Sequence, residues 1–145
     1  RKSRSFTAEE ESILPTSDKS KFQQITGSLL YLVIFTRADL LYAVHLLTRR
    51  MSNPRVLDLQ RAQKVLFYLL HTAKHGVTFH GDDEVEIIGW ADSAFNSGER
   101  DGKNCFGYCF QLGQNSGMFI NVCKRSTLIA QSSTEAELYA LAEAS

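Results

Sequence analysis

The spacing of apolar residues changes near residue 77, and that change most limits what the chain can fold into. Before it, Phe22, Ile25, Leu29 and Leu32 recur every three or four residues, which is the repeat of one helix face. After it, Phe106, Tyr108 and Phe110 alternate with smaller or polar residues, which is the repeat of a pleated strand. Helical periods first and strand periods second predict an α+β chain in which a helical bundle precedes a sheet.

The helical block holds three predicted helices. The first carries the Phe22 stripe. Thr36, Arg37, Ala38 and Asp39 match a capping box, in which Thr and Asp side chains satisfy free amides at a helix start. The second helix would bury Leu40, Val44, Leu47 and Met51. Ser52, Asn53 and Pro54 would end it and open a third, since proline is tolerated in a first turn. Val56, Leu59, Ala62, Leu66 and Leu69 make the third stripe, and Gly76 is placed to end it. These stripes read as core.

Val77 to His80 can form a short strand, followed by turn chemistry at Gly81, Asp82 and Asp83. Val85 to Ala91 is a β-rich run entering Asp92. A polar loop, Asn96 to Asn104, leads to strands at Cys105–Leu112 and Met118–Cys123, with a turn at Gly113 to Gly117. Short connections predict an antiparallel meander. Ser132 to Glu135 and Thr134 to Glu137 both match a capping box before a final helix, with Leu138, Leu141 and Ala142 on its apolar face. The expected organisation is an arm over 1–20, a helical segment over 21–76 and a sheet-and-helix segment over 77–145.

With 43% hydrophobic residues in 145, a core can form. Sixteen basic and sixteen acidic residues cancel, so no general electrostatic footprint for nucleic acid exists. Contact with nucleic acid would fall to local pairs: Arg49 with Arg50, and Lys124 with Arg125. The basic tetrad at residues 1–4 reads as part of a solvated arm. Three cysteines, an odd count without Cys-x-x-Cys, predict reduced thiols in an intracellular compartment, cytoplasmic or nuclear. Cys105 and Cys109 would share a strand face, with Cys123 on a neighbouring strand. No histidine at ligand spacing accompanies them, and they read as buried thiols. The longest apolar run, Leu29 to Phe35, reads as a buried helix segment. No run reaches the roughly 18 residues that span a membrane. The chain begins with Arg rather than Met, and is expected to be a piece of a longer protein.

Magnesium takes oxygen ligands, commonly one or two carboxylates with phosphate oxygens. Two-metal phosphodiester cleavage needs several carboxylates converging on rigid elements. Asp92 late on a strand and Glu137 early on a helix could contribute to such a cluster. Alone, they read equally as two surface acids, with the helix glutamate complementing the helix dipole.

Six words occur in order: Gly27-Ser-Leu-Leu-Tyr-Leu, Thr36-Arg-Ala-Asp-Leu, Met51-Ser-Asn-Pro, Trp90-Ala-Asp-Ser-Ala, Asp101-Gly-Lys-Asn-Cys-Phe-Gly-Tyr, and Gln131-Ser-Ser-Thr-Glu-Ala-Glu-Leu-Tyr-Ala-Leu. The series resembles the polyprotein of copia-type (Pseudoviridae) retrotransposons, from the end of the reverse transcriptase into ribonuclease H, over residues 20–145. The resemblance implies that residues 21–76 are a thumb-like or connection-like helical segment. It implies that the later residues are the opening three strands and first helix of ribonuclease H. Asp92 inherits the first catalytic aspartate and Glu137 the catalytic glutamate, with Glu135 a capping residue. Each would ligate Mg2+, or Mn2+, at an RNA–DNA hybrid.

This sequence departs from the pattern at Ala94, where the family often has a second aspartate. The remaining catalytic carboxylates should follow Ser145, and Asp82, Asp83 and Asp101 do not match them. The chain alone is therefore expected to be inactive and to hold no metal firmly. Two roles fit the resemblance. One is a fragment of a reverse transcriptase–ribonuclease H. The other is a host-adopted, non-catalytic interaction module. An open sheet edge near Ile87 and Ile88, and uncovered apolar surface on the last helix, would favour self-association or a protein partner.

Overall fold

The computed structural model describes Thr7 and residues 9–81, 86–95 and 103–145. The basic tetrad, Asp82, Asp83, Val85, Asp101 and most of the polar loop lie outside the described residues. The chain divides into two compact units, Arg1–Gly76 and Val77–Ser145.

The first unit is helical. Helix α1 spans Thr16–Phe35, a 3-10 turn covers Ala38–Leu40, and α2 and α3 span Leu41–Thr48 and Val56–His71. Pro15 precedes α1, and its carbonyl accepts the Asp18 and Lys19 amides at 3.0 and 2.9 Å. The arm expected over residues 1–20 therefore ends earlier. Residues from Thr16 are helical, and Ile13 bridges to Arg55. Leu14 is buried, with its amide on the Pro54 carbonyl at 2.9 Å. One apolar side chain and a few backbone bonds anchor the segment.

Phe22, Leu29, Val33, Leu40, Val44, Leu47 and Ala62 form the core with Leu14. Ile25, Leu32, Met51, Val56, Leu59 and Leu69 pack against it, as the stripes predicted. Leu66 does not: it lies on the open side, and Val65 packs inward instead. Nor is Leu29–Phe35 wholly buried, for Tyr31 and Phe35 face solvent while Leu29 and Val33 point inward. Pro54 stands before the α3 N-cap, Arg55, rather than in the first turn. The C-cap of α3 is Thr72, whose amide reaches the carbonyls of Tyr68 and Leu69; Gly76 does not end the helix.

The expected capping box at Thr36–Asp39 is absent. Thr36 caps the end of α1, its amide and hydroxyl both on the Leu32 carbonyl at 3.0 Å. Asp39 is taken by Arg37: Nε donates to Oδ1 and a terminal nitrogen to Oδ2, each at 2.9 Å. A bidentate ion pair is stronger than a neutral amide contact, and it claims the carboxylate.

The second unit is a three-stranded antiparallel sheet in the order β1-β2-β3, with one helix. Strands β1, β2 and β3 span Ile87–Ala94, Cys105–Leu112 and Met118–Arg125, and α4 spans Ser133–Ala144. Val77–His80 is not a strand. It lies close against Gly117, where a β-carbon would collide with Val77 and the Thr78 carbonyl. Gly113 turns the chain out of β2 with a φ of 73°, a conformation that favours glycine. Helix α4 buries Ala136 and Ala140, not the larger Leu138 and Leu141, which stay exposed. Small residues on the inner face bring its backbone close to the sheet.

Candidate metal-binding carboxylates

Asp92 lies on β1 opposite Gly107 of β2, three residues before the described part of the strand region ends at Phe95. It is exposed, and one carboxylate oxygen accepts the Ser93 amide at 2.8 Å. Ser93 points the other way, into a narrow cavity shared with Asn104, Ser126, Ala136 and Tyr139. Helix α4 covers that same face, where Tyr139 meets Phe106 edge-on at 5.5 Å between ring centres. Successive residues of a pleated strand face opposite sides. Asp92 therefore emerges on the face away from α4.

Two overlapping capping boxes were possible in the sequence, and the structure forms the serine half of the first. Ser132 is the N-cap, its Oγ accepting the Glu135 amide at 3.2 Å. Glu135 reaches back to the Gln131 amide at 2.7 Å. Its carboxylate is thereby occupied in starting the helix. Glu137, two residues on, is exposed on α4. Asp92 and Glu137 thus belong to elements that pack together, β1 and α4, but Asp92 lies on the sheet face that α4 does not cover. As hard oxygen donors open to water, both suit Mg2+ chemically. Glu135 fits less well, because a metal would compete with the helix cap.

The basic candidates fall in two different units. Arg49 and Arg50 follow α2 in the first unit, Arg49 half-buried and Arg50 exposed. Lys124 and Arg125 are adjacent on β3, opposite Phe106 and Cys105 respectively, so they occupy opposite sheet faces.

Sequence reasoning missed the narrow cavity beneath α4. Ser93, Asn104, Ser126 and Tyr139 come from four separate segments, and no local spacing marks them. It also took Arg37 and Asp39 for helix-start chemistry when they form a clamp.

No family model matches the chain, and no solved structure matches it. Curated proteins do. The chain is 34% identical over 125 residues to an uncharacterised mitochondrial protein of Arabidopsis thaliana, covering 86% of this chain and 51% of that protein. It is 33% identical over 118 residues to the secreted RxLR effector protein 161 of Plasmopara viticola, covering 81% and 82% of the two chains. It is 31% identical over 129 residues to the retrovirus-related Pol polyprotein from transposon RE1 of Arabidopsis thaliana, covering 89% of this chain and 9% of the polyprotein. The chain belongs to the copia-type retrotransposon polyprotein family. This copia-type chain spans about half the length of the mitochondrial relative and about a tenth of the RE1 polyprotein.

Proposed function

We propose that this copia-type chain is the stretch of a Pol polyprotein that joins the end of a reverse transcriptase to the start of a ribonuclease H domain. On this reading residues 21–76 are the thumb-like or connection-like helices. The meander and α4 are the opening strands and first helix of a ribonuclease H-like fold. The observation that carries the proposal is the run of a three-stranded antiparallel meander into one helix in a copia-type chain, with Asp92 on the first strand and Glu137 on the helix.

Asp92 and Glu137 would each offer carboxylate oxygens to Mg2+ at an RNA–DNA hybrid. The metal would supply activation of water and neutralisation of charge on the leaving oxygen. These residues supply two of the several carboxylates such chemistry requires. The chain alone is accordingly expected to bind Mg2+ weakly and to leave hybrids intact. The exposed edge of β1, with Ile87 64% exposed, is where a further strand of the same sheet would pair. An unpaired edge with an apolar side chain is otherwise a site of association between chains.

The test places this chain in the RE1 polyprotein in exchange for the matched segment. Mg2+-dependent cleavage of an RNA–DNA hybrid by that chimera is the expected result. Asp92→Asn and Glu137→Gln should each reduce cleavage to background, while Glu135→Gln retains most of it. Undiminished cleavage by the Asp92→Asn chimera would sink the proposal. So would robust cleavage by the chain alone that survives both substitutions.

A further inference from the structure

The sheet face that carries Asp92 also carries all three cysteines. Cys105, Gly107 and Cys109 alternate along one face of β2, and Cys123 sits directly opposite Gly107 on β3. Gly107 carries no side chain, so none stands between the sulfur-bearing residues on this face. The sulfurs of Cys105 and Cys123 stand 3.7 Å apart, one thiol hydrogen-bonded to the other. Cys105 is buried and Cys123 half-buried.

That separation is informative. Zinc bonds thiolate sulfur at about 2.3 Å, so two thiolates on a tetrahedral ion stand about 3.8 Å apart. The pair already has the spacing of one tetrahedral edge. A disulfide would require the sulfurs to close to about 2.05 Å. The two residues are diagonal rather than directly opposed, and diagonal positions in an antiparallel pair are too widely spaced for a relaxed disulfide. A bridging ion fits the 3.7 Å separation of the sulfurs.

We infer that Cys105 and Cys123 form a two-thiolate site for a thiophilic d10 cation of the Zn2+ class. On binding, each thiol releases its proton to solvent and each sulfur donates a lone pair to the ion. The hydrogen bond shared with Cys105, then burial, hold the Cys123 thiol well above its usual range. Cys109 is not a ligand. Burial raises its thiol, and its sulfur is engaged with the Trp90 backbone on the β1 side. The site is independent of Asp92 and Glu137, because soft sulfur ligands select a different class of metal from hard carboxylates.

The experiment titrates reduced, chelator-treated protein with Cd2+ and follows the sulfur-to-cadmium charge-transfer absorption. One equivalent should saturate the band in the native chain and in Cys109→Ser. The band should be lost in Cys105→Ser and in Cys123→Ser. A second measurement needs no substitution. Zn2+ should protect Cys105 and Cys123 of the native chain from alkylation while Cys109 keeps its rate, as read by mass spectrometry. Absence of the band, its persistence in Cys105→Ser, or unprotected thiols at Cys105 and Cys123 would overturn the assignment.

Discussion

Arg37 and Asp39 face each other two residues apart and form a two-pronged ion pair, with both contacts at 2.9 Å. The far side of the same guanidinium donates to the Thr72 carbonyl and hydroxyl at 3.1 and 2.8 Å. It also lies 5.5 Å over the Tyr68 ring. Arg37 is nearly fully buried, so its charge depends on these partners. The clamp ties the turn after α1 to the end of α3.

Arg37→Ala should therefore destabilise the chain by about 2 kcal/mol, the scale of lost hydrogen bonds to a charged group. Arg37→Lys should recover little, because an ammonium cannot make the planar fork. Urea unfolding of the three proteins would measure both.

The pair also sets a pH dependence. Hydrogen bonding from Arg37, ahead of its charge and of Tyr68, holds the Asp39 carboxyl below its usual value against the opposing effect of burial. A carboxylate with a depressed folded pKa stabilises above its unfolded pKa, about 3.9, and that contribution fades as pH falls through the folded value. The stability gap between the native chain and Asp39→Asn should be full at pH 6 and should shrink below about pH 4. Because Asp39 is partly exposed, salt should narrow the gap at every pH. A gap that stays constant down to pH 2 would contradict this account.

Thr26 is fully buried in α1, and its hydroxyl has no hydrogen-bond partner among the described residues. Thr26→Val removes the stranded hydroxyl and keeps the branched shape. It should raise stability by about 1 kcal/mol, the scale of an unsatisfied buried polar group. Thermal unfolding would read the gain.

Glu135 and Glu137 of α4 should separate by substitution. Ser132→Ala removes the N-cap and should destabilise by about 1 kcal/mol. Glu135→Ala should weaken the same helix start, because its carboxylate holds the Gln131 amide. Glu137→Ala touches an exposed position and should stay within about 0.5 kcal/mol. Amide exchange in the first turn of α4 would distinguish them.

Much of this fold was legible because periodicity is a local signal. Cys105–Leu112 is β2 at the predicted bounds, since Phe106, Tyr108 and Phe110 alternate without interruption. The inner face of α3 was harder. Val65, Leu66, Phe67, Leu69 and Leu70 are all apolar, so several stripes fit and only packing selects Val65. The ends of helices failed where a distant partner decided them. Asp39 could cap a helix until Arg37, held from the far side by Thr72, claimed it. The elements bearing Asp92 and Glu137 were legible for the same local reason. Which face each residue takes was not, because it depends on where α4 docks.

Each strand of the sheet pairs with its neighbour in sequence. That order has a kinetic consequence. Chain segments that meet early need little loop closure, and such topologies fold quickly. The β2–β3 hairpin closes through the short turn at Gly113 and should form first, within microseconds as hairpins do. Strand β1 must wait for its longer connection to close, and α4 for a sheet face to dock against. The tip of that hairpin, rather than the carboxylates, is thus where a substitution such as Gly113→Val should slow refolding most.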